Sequence, residues 1–217
     1  VTAQTRSEIA NLLSRHGLSP SKRLGQHFLA DANITRKIVE LSGVGAGDNV
    51  VEVGAGTGTL TRALAATGAR VVAYEVDARL IPVLGEVTSG LTVEIRSLDI
   101  TDVDLAVELG TDRWVMVANL PYNVGTPLLL DVLRRVPQIE RFVVMVQREV
   151  AQRLVAPPGS RAYGLPSVIV GIHARGGLAL RVPAQVFYPA PRVESAVVVL
   201  DRVPAPEGSE RAIEIAG

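Results

Sequence analysis

The sequence predicts an α/β domain with a mostly parallel sheet of the nucleotide-binding kind, and three observations carry that expectation. Between residues 49 and 155 short apolar runs alternate with helical patterns, as βα units do. The first run leads into VVEVGAGTG, Val50–Gly58, with glycines at 54, 56 and 58 before a helical pattern opens at Thr59. This reads as a buried strand turning sharply into a helix; glycine suits the turn because it tolerates positive φ and leaves the backbone bare for a close ligand. The next strand closes on Glu75, 21 residues beyond Gly54, where nucleotide-binding α/β units hold ribose hydroxyls.

Taken in order, residues 4–16 form an amphipathic helix through Ile9, Leu12 and Leu13, ended by Gly17 and Pro20. Ser21–Leu29 mixes polar and apolar residues without a period; composition favours a connector, and the alternative is a lid folded over a ligand, which gives Gln26 and His27 a role. Asp31 caps a helix to about Ser42 with Ile34, Ile38 and Leu41 on one face. Strands are expected at about 49–53, 70–75, 92–96, 114–118 and 142–147, and helices at about 58–67, 77–88, 102–109, 126–136 and 148–155. Ser167–Ala174 and Val193–Leu200 both read as strands, which predicts a closing antiparallel pair. The organisation is thus an N-terminal helical segment over 1–45, the α/β domain over 46–201, and a polar, linker-like stretch over 202–217.

Composition narrows the chemistry. Of the 217 residues, 47% are apolar and 20% charged, which fits a globular protein with a full core. No apolar run approaches the roughly 18 residues of a membrane span, and the N-terminus lacks a signal-peptide layout, so a cytoplasmic protein is expected. The absence of cysteine excludes disulfides, thiolate zinc sites and a cysteine nucleophile, and His16, His27 and His173 are too scattered to suggest a metal. Net charge is zero but unevenly spread: residues 48–131 carry twelve acidic against five basic side chains, and 132–192 carry nine arginines against two glutamates. The basic stretch is either a phosphate-attracting surface or a set of solvated helix faces.

The fourth strand runs straight into Asn119-Leu120-Pro121-Tyr122. An amide, a proline-fixed backbone and an aromatic ring suit a pocket for a flat, amine-bearing group. A nucleobase amine is a poor nucleophile, because its lone pair is delocalised into the ring. As it takes up a methyl group its nitrogen becomes tetrahedral and positive. The Asn119 side-chain oxygen and the Leu120 carbonyl can accept its hydrogens, Pro121 fixes the turn, and Tyr122 offers a stacking face. Asp99, just after the third strand, is either a site residue or the cap of the helix that follows.

The turn itself reads E-x-G-x-G-x-G, with Thr59 where a dinucleotide fingerprint has its third glycine. It is similar to the first motif of S-adenosylmethionine-dependent methyltransferases, whose cofactor has no phosphate to cradle. Seven ordered blocks across roughly residues 21–200 extend the likeness: SKRLGQHFL, VVEVGAGTGTL, AYEVD, SLDI, ANLPYNVGTPLL, VQREVAQRLVAPPGSRAYG and FYPAPRVESAVV. In these the chain resembles the rRNA adenine-N6 dimethyltransferases, the KsgA (RsmA) type more than the Erm type.

The resemblance implies a Rossmann-like class I methyltransferase fold with S-adenosylmethionine as cofactor and no metal. It implies that Gln26, His27 and Leu29 close over the methionine end of the cofactor, with Glu52, Gly54 and Gly56 of the glycine motif against it. Glu75 would hold the ribose and Asp99 the adenine amine, and Asn119 would position both the cofactor and the target amine. Tyr122 and Phe187 would sandwich the target adenine, although Phe187 also passes for a core aromatic. Lys22, Arg23, Arg148, Arg153 and Arg161 would lie on RNA. The implied substrate is two adjacent adenosines near the 3′ end of small-subunit rRNA in the 30S pre-ribosomal particle, each dimethylated by a monomer. His27 stands where the family usually has Asn, and tuning rather than loss is expected there. The family continues into a helical C-terminal domain, so 202–217 would be a linker or the start of that domain in truncated form. Erm-like methylation of large-subunit rRNA and a non-catalytic assembly role are the alternatives; the AYG block and the FYPAPRVES wording oppose the first, and Glu75, Asp99 and NLPY oppose the second.

Overall fold

The computed structural model describes residues 3–121, 124–206 and 208–209. In chain order its elements are α1 (Arg6–Arg15), β1 (Phe28–Leu29), α2 (Ala32–Ser42), β2 (Asn49–Val53), α3 (Thr59–Ala65), β3 (Arg70–Tyr74), α4 (Ile81–Val87), β4 (Val93–Arg96), α5 (Leu105–Glu108), β5 (Trp114–Asn119), α6 (Gly125–Arg135), β6 (Ile139–Gln147), α7 (Arg148–Leu154), α8 (Leu165–His173), β7 (Ala174–Val182), β8 (Phe187–Tyr188) and β9 (Ser195–Arg202). A seven-stranded sheet runs β4-β3-β2-β5-β6-β9-β7, parallel from β4 to β6 and antiparallel where β9 lies between β6 and β7. The expected α/β fold, mostly parallel with an antiparallel closure, is the observed one.

Alternation along the strands builds two apolar layers. Val51, Met116 and Phe142 face Leu129, Leu133 and Val170 of α6 and α8. Val50, Val71, Val117 and Val143 face Ile38, Leu60 and Leu64 of α2 and α3. A smaller cluster joins Ile9, Leu12 and Leu13 of α1 to Phe28, Leu80 and Val83. Strands covered on both faces leave their carboxyl ends as the place where polar groups reach solvent.

One expected strand is a helix. Residues 167–173 lie in α8 and Ala174 opens β7; in α8 Pro166 occupies the first turn, and the Ser167 hydroxyl accepts from the Gly164 N–H at 3.2 Å and donates to the Arg153 carbonyl at 2.5 Å. Its β-branched run gave the strand reading, but Ile169 and Val170 are buried on the helical stripe, and packing overrides propensity. The strand that pairs with β9 is instead β7, disguised by Gly176, Gly177 and a mostly exposed edge. Gly176 is needed there because a Cβ would collide with the Val199 carbonyl oxygen.

The end of α6 is closed by a residue distant in sequence. The Arg202 guanidinium donates to the carbonyls of Val132, Leu133, Val136 and Ile139, and stacks 5.5 Å from the Phe142 ring centroid. A cation over the orphan carbonyls of a helix C-terminus is favoured by both hydrogen bonding and the helix dipole. Arg202→Met should therefore lower unfolding stability by about 2–3 kcal/mol in urea denaturation, the scale of hydrogen bonds to a charged group; a change under about 0.5 kcal/mol would show that the cap is dispensable.

Candidate active site

The cleft is assembled where β2, β3 and β5 end side by side. Val53 is in register with Tyr74 on one side and Ala118 on the other, so the turn after β2 emerges between Glu75 and Asn119. Gly54 has φ +74° and Gly56 φ +58°. At Gly56 a Cβ would stand 2.9 Å from the Phe28 ring, so the lid segment closes against bare backbone. The N–H groups of Gly54 and Ala55 both donate to the Tyr74 carbonyl, at 2.9 and 3.2 Å.

Glu75 is 5% exposed and accepts from the Gly56 N–H at 2.7 Å and from the Asp77 N–H at 2.8 Å. Burial pushes its carboxyl pKa up, and the backbone donors of Asp77 and Gly56 oppose that. Asp77 is held down to about 2 by the Arg79 guanidinium, which donates to both its oxygens. The same carboxylate accepts from Gln26 Nε2 at 2.9 Å, and Gln26 Oε1 in turn accepts from the Ser21 N–H at 2.7 Å. Residues 21–29 are thus tied to the end of β3 rather than forming a slack connector.

Asn119 ends β5 and is half-buried. Its Nδ2 donates to the His27 carbonyl at 3.0 Å, which fixes the amide orientation and makes Oδ1 the acceptor. His27 Nδ1 donates to the Pro189 carbonyl at 2.7 Å, and β1 pairs with β8 through Phe28↔Tyr188 and Leu29↔Phe187. Gln26, His27, Phe28, Gly54, Glu75, Val76, Asn119 and Pro121 thereby line one cleft. Its volume is about 70 Å³, against roughly 300 Å³ or more for a small-molecule site, so in this conformation the cleft is narrow. A glycine turn without side chains, a buried acid at the end of the next strand and an oriented amide fit a nucleoside with an amino-acid tail. Two larger cavities, of about 280 and 790 Å³, flank α6 and lie at the opposite ends of the strands, away from these groups.

A profile of the ribosomal RNA adenine dimethylase family matches residues 18–213. The chain belongs to that family. It is 47% identical over 199 residues to the ribosomal RNA small subunit methyltransferase A of Leifsonia xyli subsp. xyli, covering 90% of this chain and 71% of the relative. The protein of that name from Kineococcus radiotolerans is 45% identical, with 92% and 68% covered. Among solved structures, a dimethyladenosine transferase from Plasmodium falciparum superposes with a TM-score of 0.73 at 28% identity, covering 85% of this chain and 66% of that one. The 23S rRNA methyltransferase ErmE gives 0.75 at 29% identity, covering 87% and 77%. The fold is that of class I methyltransferases, and S-adenosylmethionine is the cofactor of this dimethylase family.

Within this dimethylase cleft the residues singled out from sequence are not all side by side. Gln26, His27, Gly54, Gly56, Glu75, Asn119, Leu120 and Pro121 line it. Leu29 does not: it points into the apolar layer with Ile38 and Phe187. Glu52 is 1% exposed and lies below the turn, not in the cleft. Asp99 is exposed and caps the turn at Ile100–Asp102, accepting from the Thr101 N–H at 3.0 Å and hydroxyl at 2.7 Å. Phe187 is fully buried in the same layer as Leu29, the core placement rather than an open stacking face. Tyr122 lies outside the described residues. Sequence reasoning passed over Phe28, Val76 and Asp77, although all three stand in the quoted SKRLGQHFL and AYEVD blocks; Asp77 signals itself as a cap two residues after Glu75.

The basic residues divide. Lys22 and Arg23 are exposed on the lid. Arg148 is paired to Glu194 at 2.7 Å and Arg153 to Glu149 at 3.7 Å; Arg153 and Arg161 come together with Glu149, Gln152 and the 39%-exposed Tyr163 around an open cavity of about 700 Å³. Among the described residues no three potential metal ligands cluster, and no helix is long and apolar enough to cross a membrane.

Glu52 makes a pH prediction. Burial, reinforced by the charge of Glu75 and partly offset by Thr61, raises its pKa to about 8. A carboxyl whose folded pKa lies above its unfolded value stabilises fully below the unfolded value, about 4.3, and loses that stability as pH rises to the folded one. Glu52→Gln should therefore gain on the wild type as pH rises from about 4 to about 8, by up to about 1.4 kcal/mol per pH unit. Parallel stability curves across that range would place the Glu52 pKa in the ordinary range.

Proposed function

We propose that the chain transfers methyl groups from S-adenosylmethionine to the exocyclic amines of two adjacent adenosines near the 3′ end of small-subunit rRNA. It works as a cytoplasmic monomer on the 30S pre-ribosomal particle, without a metal. The observation that carries the reading is the cleft in which Asn119-Leu120-Pro121 meets the glycine turn, in a chain 47% identical to a small-subunit rRNA methyltransferase. S-Adenosylmethionine supplies an electrophilic methyl group when bound. Gly54, Gly56 and the Glu75 carboxylate are the residues offered to it, and the lid at Gln26–Phe28 excludes water from the reaction.

The amine nitrogen turns tetrahedral and positive as it reacts. Asn119 Oδ1, pre-oriented by the bond to His27, and the Leu120 carbonyl accept its two hydrogens and favour that geometry without a strong base. Each transfer forms the N–C bond as the methyl C–S bond breaks, with S-adenosylhomocysteine as the leaving group, and the proton passes from the already cationic nitrogen to solvent; in the second transfer the amine carries one hydrogen. Asp99 is proposed to reach the cofactor adenine from the rim beside β4. Tyr122 and Phe187 are proposed to hold the target base, which for Phe187 means uncovering a buried ring as the base enters. Lys22, Arg23, Arg148, Arg153 and Arg161 are proposed to neutralise phosphates, with Tyr163 available for stacking.

Incubation of tritiated S-adenosylmethionine with unmethylated small or large subunits, followed by primer extension, should place dimethyladenosine near the 3′ end of the small-subunit rRNA. Label on the large subunit would instead favour the ErmE-like activity. Asn119→Ala should fold normally but lose about 100-fold or more in kcat; wild-type turnover would remove its role as amine acceptor. The Arg153→Ala/Arg161→Ala pair should weaken RNA binding at all sequences and reduce the slope of log K against log salt by about 2. An unchanged slope would leave these arginines as solvated helix faces.

A further inference from the structure

Gln4 precedes α1 and lies 53 residues from Thr57, yet its side chain is directed entirely at the glycine turn. Its Nε2 donates to the Thr57 carbonyl at 3.0 Å, and its Oε1 accepts the Thr57 hydroxyl at 2.8 Å and the Thr59 hydroxyl at 2.7 Å. The three residues are 6, 2 and 4% exposed, so these polar groups are buried. Buried amides and hydroxyls carry a high cost when unpaired, so these bonds hold residues 57–59 to one conformation.

The first half of the turn is fixed from the sheet, where the Gly54 and Ala55 N–H groups bond the Tyr74 carbonyl. Glu75 holds the Gly56 N–H from the cleft side, and the Gly58 N–H returns to the Ala55 carbonyl at 2.9 Å. Glycines are the positions with most backbone freedom to lose, and two of them flank Thr57. Gln4 supplies a clamp on the outer side. The helix it introduces also supports the lid, since Ile9, Leu12 and Leu13 pack with Phe28, whose ring lies against Gly56.

We propose that Gln4 is a positioning residue of the cofactor site, holding Gly56–Thr59 in the shape that receives S-adenosylmethionine; this rests on the cofactor reading above. The N-terminal segment is then a working part of the methyl-transfer site rather than a staple on its back.

The test measures S-adenosylhomocysteine affinity by calorimetry, amide exchange, melting temperature and steady-state kinetics for wild type, Gln4→Leu, Thr59→Val and the double variant. Gln4→Leu should raise the dissociation constant about 5- to 10-fold, as loss of preorganisation does. The KM for S-adenosylmethionine should rise more than kcat falls, and exchange should speed up at residues 55–59 while β2 and β5 stay protected. Thr59→Val, which leaves α1 and Gln4 intact, should shift affinity the same way, and the double variant should be no worse than the larger single one, because both break one network. Unchanged affinity with a lowered melting temperature in Gln4→Leu would overturn the proposal; should that variant fail to fold, unchanged affinity in Thr59→Val would do so. Wild-type protein that binds no S-adenosylhomocysteine would overturn the cofactor reading itself, and needs no variant to detect.

Discussion

The parallel register of β2 with both its neighbours is the constraint from which the site follows. With Val53 opposite Tyr74 and Ala118, the next residue of each strand reaches the rim together, and these are Gly54, Glu75 and Asn119. Slippage of one residue would exchange the two faces of a strand and set its side chains against the wrong apolar layer, and it would take the three rim residues out of line. The register therefore decides the chemistry: a bare backbone, an acid and an amide share one edge because core valines fix three strands. Burial of Glu75 follows from the same packing, and its two backbone donors are what make a carboxyl tolerable there.

Around that edge, parts of the chain remote in sequence converge. The lid is joined to the end of β5 by Asn119 and His27, to β3 by Gln26 and Asp77, and to the C-terminal loop by His27 and Pro189. These three joints are hydrogen bonds between polar groups, and Phe28 and Leu29 hold the end of the same segment in apolar clusters.

Much of the architecture was legible from sequence because it is written in period and punctuation. The βα alternation and the glycine turn needed only local rules, and Glu75 and Asn119 were recognisable as polar residues closing apolar strands. What was hidden is what depends on partners. The run at Leu165–His173 looks like a strand until α6 and α7 are known to cover it, and β7 looks like a loop because its glycines make room for β9. Phe187 and Leu29 carry family signatures yet face the core together, which their spacing from the motif could not reveal. Gln4 is the clearest instance: nothing in a lone N-terminal glutamine announces three bonds to a turn 53 residues away.

Charge segregation along the chain becomes segregation across the sheet. Residues 48–131, with twelve acidic side chains, build the half from β4 to β5; residues 132–192, with nine arginines, contribute β6, β7 and the helices between them. The seam between the halves is the pair β5–β6, and Asn119 ends β5 on that seam opposite Met145. In the proposed function a cationic methyl donor is set against the negative half and polyanionic RNA against the positive one, with the proposed reacting groups between them. A neutral molecule can in this way steer two oppositely charged reactants to adjacent places, which zero net charge alone would conceal. The same partition disfavours RNA phosphates at the glycine turn, where an anion would compete with the buried Glu75 carboxylate for the same backbone donors.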